Sequence, residues 1–352
     1  MTSTMTSPRC WKVERWPDGD RAGWAAGTAA GGPLLTRTYA SGLRPATIDK
    51  FRRGYGRWLD FLHSQGWLDP YQAPLDRVPP DRLCDYFCAL RDAGNADWTI
   101  IGRFAELERA IFIMTGQKAS WIRCPYGTSV YASLPRRQRS IIVPDSEVLC
   151  RWGVGLMEGA DLARRATSDL CAYRDGLIIA LLATRGRRLR AMAGLELQHL
   201  VDLREETSWI ELPAELVKTR KRDRFTISPA LLPYLRRYLA VVRPSLLAGH
   251  RTAALWITHR GDPLTAKGLQ AMIFIRSKAR FGTGFGPHRF RHAVTTTAAL
   301  RLPGHRGLAA ELLGITAHVA EQSYNRADAV NAANKFDKMM DEQKTDIDDH
   351  FE

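Results

Sequence analysis

The chain has 352 residues, 45% hydrophobic and 25% charged, with 51 lysines and arginines against 37 acidic residues, a formal net charge of +14. That composition belongs to a globular protein with ample core, and the positive excess favours an anionic partner, nucleic acid or a membrane surface. No apolar run approaches transmembrane length, no signal-peptide core opens the chain, and six cysteines are too few for a disulfide framework. A cytoplasmic protein with reduced, structural cysteines is expected, with no membrane partner.

Residues 1–44 mix Gly, Ser, Thr, Ala and Pro without sustained periodicity and read as a flexible N-terminal arm. Trp11, Trp16 and Trp24 are unusual in such an arm and point to docking on the folded body or on a partner. From Ala46, the residues Ile48, Phe51, Tyr55, Leu59 and Leu62 step by three and four, predicting an amphipathic helix that ends near Gly66. Its other face carries Lys50, Arg52, Arg53 and Arg57. A second helix, about 80–92, buries Leu83, Phe87 and Leu90, and a third, about 97–116, presents Ile101, Phe104, Leu107 and Ile111. Cys84 and Cys88 on the second helix read as small core residues, since no further ligand pair follows them to make a metal site.

Residues 45–133 therefore form an all-helical domain with basic faces. A charge run is ordinarily a solvated face, but its repetition in a basic protein points to DNA contact, here through Arg52, Arg53 and Arg57. Residues 134–143 are a basic, proline-bounded linker, in which Arg136, Arg137 and Arg139 would lie near phosphates if the flanking domains gripped a duplex. Taken alone, it reads equally as a solvated connector.

The second domain covers 144–334. Asp145 or Ser146 caps a helix running to about Gly159, and an apolar helix follows over 168–184. TRGRRLRAMAGLELQHL (184–200) opens with four arginines in six residues. The period then changes to two. WIEL (209–212) and FTIS (225–228) read as antiparallel strands around the loop KTRKRDR (218–224). Helices resume at about 229–242 and 265–281, with LWIT (255–258) a short strand between them. Helices at 288–301, near 305–313, around Tyr324 and from about 327 complete the domain, and 335–352 is an acidic tail.

One stretch carries most of the chemistry. HRFRH (288–292) opens a helix, placing His288 and Arg291 one turn apart on one side of its start, where free N–H groups also favour an anion. Leu312-Leu313-Gly314 follows, and Tyr324 stands ten residues beyond that glycine. Phenol, guanidinium and imidazole together suit attack on a phosphodiester. His288 and His292 also have the i, i+4 spacing of helical zinc ligands, but arginines lie between them and no third ligand is evident, so no metal or other cofactor is expected.

At His288-x-x-Arg291-His292, Leu313-Gly314 and Tyr324 the chain resembles the tyrosine recombinase, or phage integrase, family. Gly186-Arg187-Arg188 fits the first arginine box of that family, and counting back from Leu195 places Arg188 at the catalytic position with Arg187 the fallback. The resemblance implies a mainly α fold with a small antiparallel sheet: an N-terminal SAM-like core-binding domain and a C-terminal mixed α/β catalytic domain. It also implies Arg188, Lys218, His288, Arg291 and Tyr324 as catalytic residues, with His292 in support and Arg187, Arg220 and Lys221 on DNA. Lys218 would be the general acid, with Lys221 its rival.

Two positions depart from the family pattern. Ala191 stands where a glutamate is common, and Ile315 where a histidine or tryptophan donates to the phosphate; His318 is a candidate substitute. The implied protein is a site-specific DNA strand transferase without metal or ATP, a homotetramer on its duplex site in the nucleoid, with accessory proteins among its possible partners. Two alternatives compete: a DNA-binding protein on this scaffold with weakened chemistry, and a type IB-like topoisomerase.

Overall fold

The computed structural model describes residues 9–30, 38–135, 144–203, 208–217 and 220–301. The chain divides into two compact units, Met1–Ser140 and Ile141–Glu352, each with its own apolar core.

The first unit is helical: α1 (Asp18–Thr28), α2 (Pro45–Ser64), α3 (Pro80–Asp92) and α4 (Asp97–Thr115). The alternation anticipated for α2 holds, with Tyr55, Leu59 and Leu62 fully buried beside Trp58 and Phe61. The mobile arm anticipated over 1–44 does not hold for its described part. Trp11, Trp16 and Trp24 are buried in the core of this unit. The Trp11 indole donates to Asp60 at 2.9 Å, and Trp16 stands edge-on to Tyr55 with ring centroids 4.9 Å apart. Asp20, on α1, is fully buried, accepts from the Tyr55 hydroxyl at 2.7 Å and pairs with the buried Arg77. Three large aromatics and an ion pair outweigh the entropy favoured by the surrounding glycines and serines.

Cys84 and Cys88 are corrected too. Leu83, Tyr86 and Leu90 take the inward face of α3, and both cysteines, one residue out of phase, are exposed. All six cysteines are free thiols.

The second unit is built around α6 (Thr167–Arg185), whose residues Leu177–Ala183 are all buried. It packs on α5 (Ser146–Glu158), capped by the Asp145 carboxylate accepting from Val148 N–H at 2.8 Å. The two backbones touch at Gly153 and Gly176, where an added Cβ would come within 2.6 Å and 2.4 Å of the facing carbonyl oxygen. After α7 (Leu189–Ala193), β1 (Leu200–Val201), β2 (Trp209–Leu212) and β3 (Asp223–Thr226) form an antiparallel sheet in that order, with Leu212 opposite Asp223. The third strand begins two residues earlier than its apolar pattern suggests, and β1 is too short to show a period.

The helix anticipated over 229–242 runs on to Leu247 as α8 (Leu232–Arg237), a π turn (Tyr238–Val242) and α9 (Arg243–Leu247). Pro244 has no N–H to donate back one turn, and the wider turn lies just before it. LWIT is not a strand: it has only isolated bridges, Glu196 with Ala254 just before it and Ile257 with Pro263 within it. Its Trp256 instead donates to Met192 O at 2.8 Å, seating α7 on the core. Helices α10 (Ala266–Phe281) and α11 (His288–Arg301) close the described unit, and the helices anticipated after 301 lie outside the described residues. No described helix is long and apolar enough to cross a membrane.

The Asp20–Arg77 pair is the clearest point of failure for the first unit. Replacing Asp20 by alanine leaves a fully buried guanidinium without its carboxylate, which costs about 3–5 kcal/mol. Urea unfolding followed by near-ultraviolet circular dichroism of the tryptophans will show the first unit melting earlier in Asp20→Ala than in wild type.

Candidate functional site

The site forms where the end of α6 meets the start of α11. Gly186 ends α6 in the left-handed conformation (φ +51°), its N–H closing on Leu182 O at 2.8 Å. A residue with a side chain is strained there, so glycine suits the turn. Arg187 and Arg188 follow in the loop, and Arg188 is extended at the N-cap of α7. Arg291, one turn into α11 and 8% exposed, donates to the Gly186 carbonyl at 2.6 Å. Helix α11 is further tied to α5 by Ser146 N–H donating to Thr297 Oγ1 at 3.0 Å.

This geometry crowds positive charge. Burial, then the charges of Arg188 and Arg187, lower the Arg291 pKa to about 10. His288 is lowered from 6.5 by burial of part of its ring, then by Arg291, Arg289 and Arg188. Its ring stands edge-on to His292 at 4.9 Å. The Arg188 guanidinium has no hydrogen-bond or ion-pair partner among the described residues. Arg188, His288, Arg291 and His292 are thus brought together as the sequence anticipates. Such a cluster is destabilised by its own field and is relieved by an anion.

Arg187 has a different place from the one anticipated. Counted among DNA contacts, it is instead 5% exposed, paired with Asp223 Oδ2 at 2.5 Å and donating to Arg224 O at 3.2 Å. Its guanidinium lies 4.8 Å from the Phe225 ring centroid, and burial lowers its pKa while Asp223 opposes that shift. Arg185 reaches the same strand, donating to Thr226 O at 2.7 Å. Only Arg188 of the box is left facing the cluster, so burial separates what three neighbouring arginines leave ambiguous.

Ala191, where a glutamate was noted as common, is buried and apolar, and the carboxylate beside the box comes from Asp223 on β3. Asp223 was passed over as part of a basic loop. Its signal was the single acid in KTRKRDR, opposite the end of β2.

Arg220 and Lys221 lie exposed in the β2–β3 connection. In the first unit, Arg52 and Arg53 both bond Asp49, at 2.6 Å and 3.0 Å. Arg57 lies 3.8 Å from Glu106, a buried acid that Arg103 (2.8 Å) and Lys50 (3.7 Å) also approach. Burial and then Arg103 lower the Arg57 pKa. The basic face of α2 is therefore partly neutralised by its own acids. Arg136, Arg137, Arg139, Lys218, Ile315, His318 and Tyr324 lie outside the described residues.

Residues 160–301, from the loop before α6 through α11, match the phage integrase family. Over those residues the chain is similar to that family. It is 28% identical over 262 residues to the tyrosine recombinase XerD of Staphylococcus aureus, covering 72% of this chain and 79% of the relative. The XerD of Staphylococcus saprophyticus is 25% identical over 260 residues, with the same coverage. Among solved structures, the recombinase XerH in a post-cleavage complex with its difH substrate aligns with a TM-score of 0.56 and 14% identity over 82% of this chain and 79% of that one. The Tn1549 transposon integrase in complex with transposon right-end DNA aligns with a TM-score of 0.56 and 13% identity, over 89% and 98%. These likenesses establish the recombinase fold.

The crowding of cations has a direct readout. In an NMR titration the His288 ring will titrate below 6.5, because burial and then neighbouring positive charge disfavour the imidazolium. Arg188→Gln removes one of those charges and will move the midpoint upward.

Proposed function

We propose that this chain is a member of the phage integrase family and a site-specific DNA recombinase that cuts and rejoins duplex DNA through a 3′-phosphotyrosyl intermediate. The observation that carries the reading is the joining of Arg188, His288 and Arg291 at the Gly186 turn, with the Arg188 guanidinium unpaired among the described residues.

Arg188 and Arg291 suit the two non-bridging oxygens of the scissile phosphate, which gain charge as phosphorus becomes pentacoordinate. The Tyr324 hydroxyl attacks phosphorus, its proton passing to His288, which the lowered pKa keeps in the neutral form that can accept it. The P–O5′ bond breaks and a lysine of the β2–β3 connection, Lys218 in the reading above, protonates the departing oxygen. The ester energy is kept in the phosphotyrosine, so rejoining needs neither ATP nor a metal.

The same reading extends to the assembly. Protomers would pair as a tetramer on two copies of a specific site and exchange strands through a Holliday junction, for integration, excision or transposition of a mobile element. Accessory proteins are possible partners, and the protein would act at the nucleoid. In the first unit, the half-exposed Arg53 and its neighbours Arg52 and Arg57 would face phosphates. A binding protein with weakened chemistry is the second reading, and the apolar Ala191 and Ile315 favour it.

A covalent trap separates the two. Nicked duplexes tiled from DNA flanking its own gene are incubated with the protein without magnesium and run on a denaturing gel. Wild type will form a slow-migrating adduct that Tyr324→Phe abolishes and Arg188→Gln slows by about 10²–10³-fold. Wild type that binds a tile specifically yet forms no adduct there, with Ile315→His equally inert, would favour the binding-only protein.

A further inference from the structure

We propose that Asp223 and Arg187 are positioning residues for the strand-transfer reaction: their ion pair locks the β2–β3 hairpin to the turn bearing Arg188, so that a lysine of the hairpin connection protonates the leaving 5′ oxygen. The proposal rests on the strand-transfer reading above and adds how the acid is aligned with the phosphate-binding arginine.

Asp223 opens β3 opposite Leu212, the last residue of β2, so it sits where the hairpin gives way to the connection 213–222. Its partner Arg187 immediately precedes Arg188. One ion pair and one peptide therefore join the mouth of the basic connection to the arginine of the phosphate site. The joint is held on several sides. Asp223 Oδ2 takes Arg187, Asp223 Oδ1 accepts from Arg224 N–H at 2.9 Å, and Arg187 also donates to Arg224 O while lying against the Phe225 ring. Arg185 adds two bonds to Thr226, at 2.7 Å to its carbonyl and 3.2 Å to its hydroxyl.

As a fold-stabilising device the pair is an expensive choice. Arg187 is desolvated, stands among other arginines, and its Nε is buried without a partner among the described residues. An apolar pair of the same volume is often as stable. What an apolar pair lacks is direction. A carboxylate and a guanidinium fix the register of β3 against the turn, and misplacement by about 1 Å at a reacting centre can cost roughly 10²-fold.

The test uses the chemistry of the leaving group. In the ordinary reaction, Tyr324 Oη–P forms, P–O5′ breaks and the oxygen takes a proton from the lysine. In a nicked duplex with sulfur replacing that bridging oxygen, P–S breaks and the sulfur departs as a thiolate. A thiol has a pKa of about 8.5, so this anion needs no proton, whereas an alkoxide does. The tile on which wild type forms its adduct is therefore made in oxygen and sulfur versions.

Asp223→Asn should form adduct roughly 10²-fold more slowly than wild type on the oxygen substrate and within about threefold on the sulfur substrate. Its affinity for the tile should be unchanged, and Asp223→Glu should recover part of the oxygen rate. Arg188→Gln, which acts on the phosphate, should be slow on both. If Asp223→Asn loses its folded signal in near-ultraviolet circular dichroism, the double variant Arg187→Met with Asp223→Asn, which leaves no unpaired buried charge, carries the same comparison. An Asp223 variant equally slow on both substrates, or undiminished on the oxygen substrate, overturns the proposal. Wild type inert on every tile would instead defeat the strand-transfer reading on which it rests.

Discussion

The hydrogen bond from Arg291 to the Gly186 carbonyl joins residues 105 apart in the chain, and the site depends on it. Helix α6 supplies one side of the joint and α11 the other, both on a core that α6 threads from end to end. Because Gly186 turns in the left-handed region, its carbonyl is freed from the helix and takes the guanidinium of a residue that carries its own charge problem. Arg291 is buried beside Arg188 and Arg187, with its pKa pulled down to about 10. The carbonyl anchors the arginine without neutralising it. Arg188, Arg187 and Arg291 thus crowd positive charge at this turn, which suits an anion.

Around that joint the cations are divided by environment. Arg187 and Arg185 turn to β3 and are consumed by Asp223, Arg224 and Thr226, while Arg188 turns to the cluster. Glu106 and Asp49 do similar work in the first unit, gathering Lys50, Arg52, Arg53, Arg57 and Arg103. A net charge of +14 is therefore not spread evenly over the surface. Local carboxylates set which arginines stay available, and the same pairing holds them in place.

What the sequence made legible follows the same division. Periodicity located α2, α3, α4 and α6, the HRFRH motif and the run after it located α11, and motif spacing singled out Arg188 over Arg187, two residues that also differ in burial. The folded N-terminal segment was not legible, since its core contacts come from three tryptophans and one aspartate scattered among glycines and alanines. Cys84 and Cys88 were misplaced because one residue of helical phase decides burial, and Leu83 and Leu90 set that phase. The role of Asp223 was hidden because a long-range pair leaves no local pattern. Neither LWIT nor the helix through Pro244 obeys a simple period, being shaped by Trp256 and by proline chemistry.

In the proposed reaction Arg188 and Arg291 act by neutralising the non-bridging oxygens of one phosphate. This role is tested most directly on a substrate whose scissile phosphate is replaced by a methylphosphonate, which lacks one of those negative charges. Arg188→Ala or Arg291→Ala should slow adduct formation far less on the methylphosphonate than on the phosphate. An equal loss on both substrates would contradict it, because the arginines would then serve the fold or the binding of DNA rather than the charge at phosphorus.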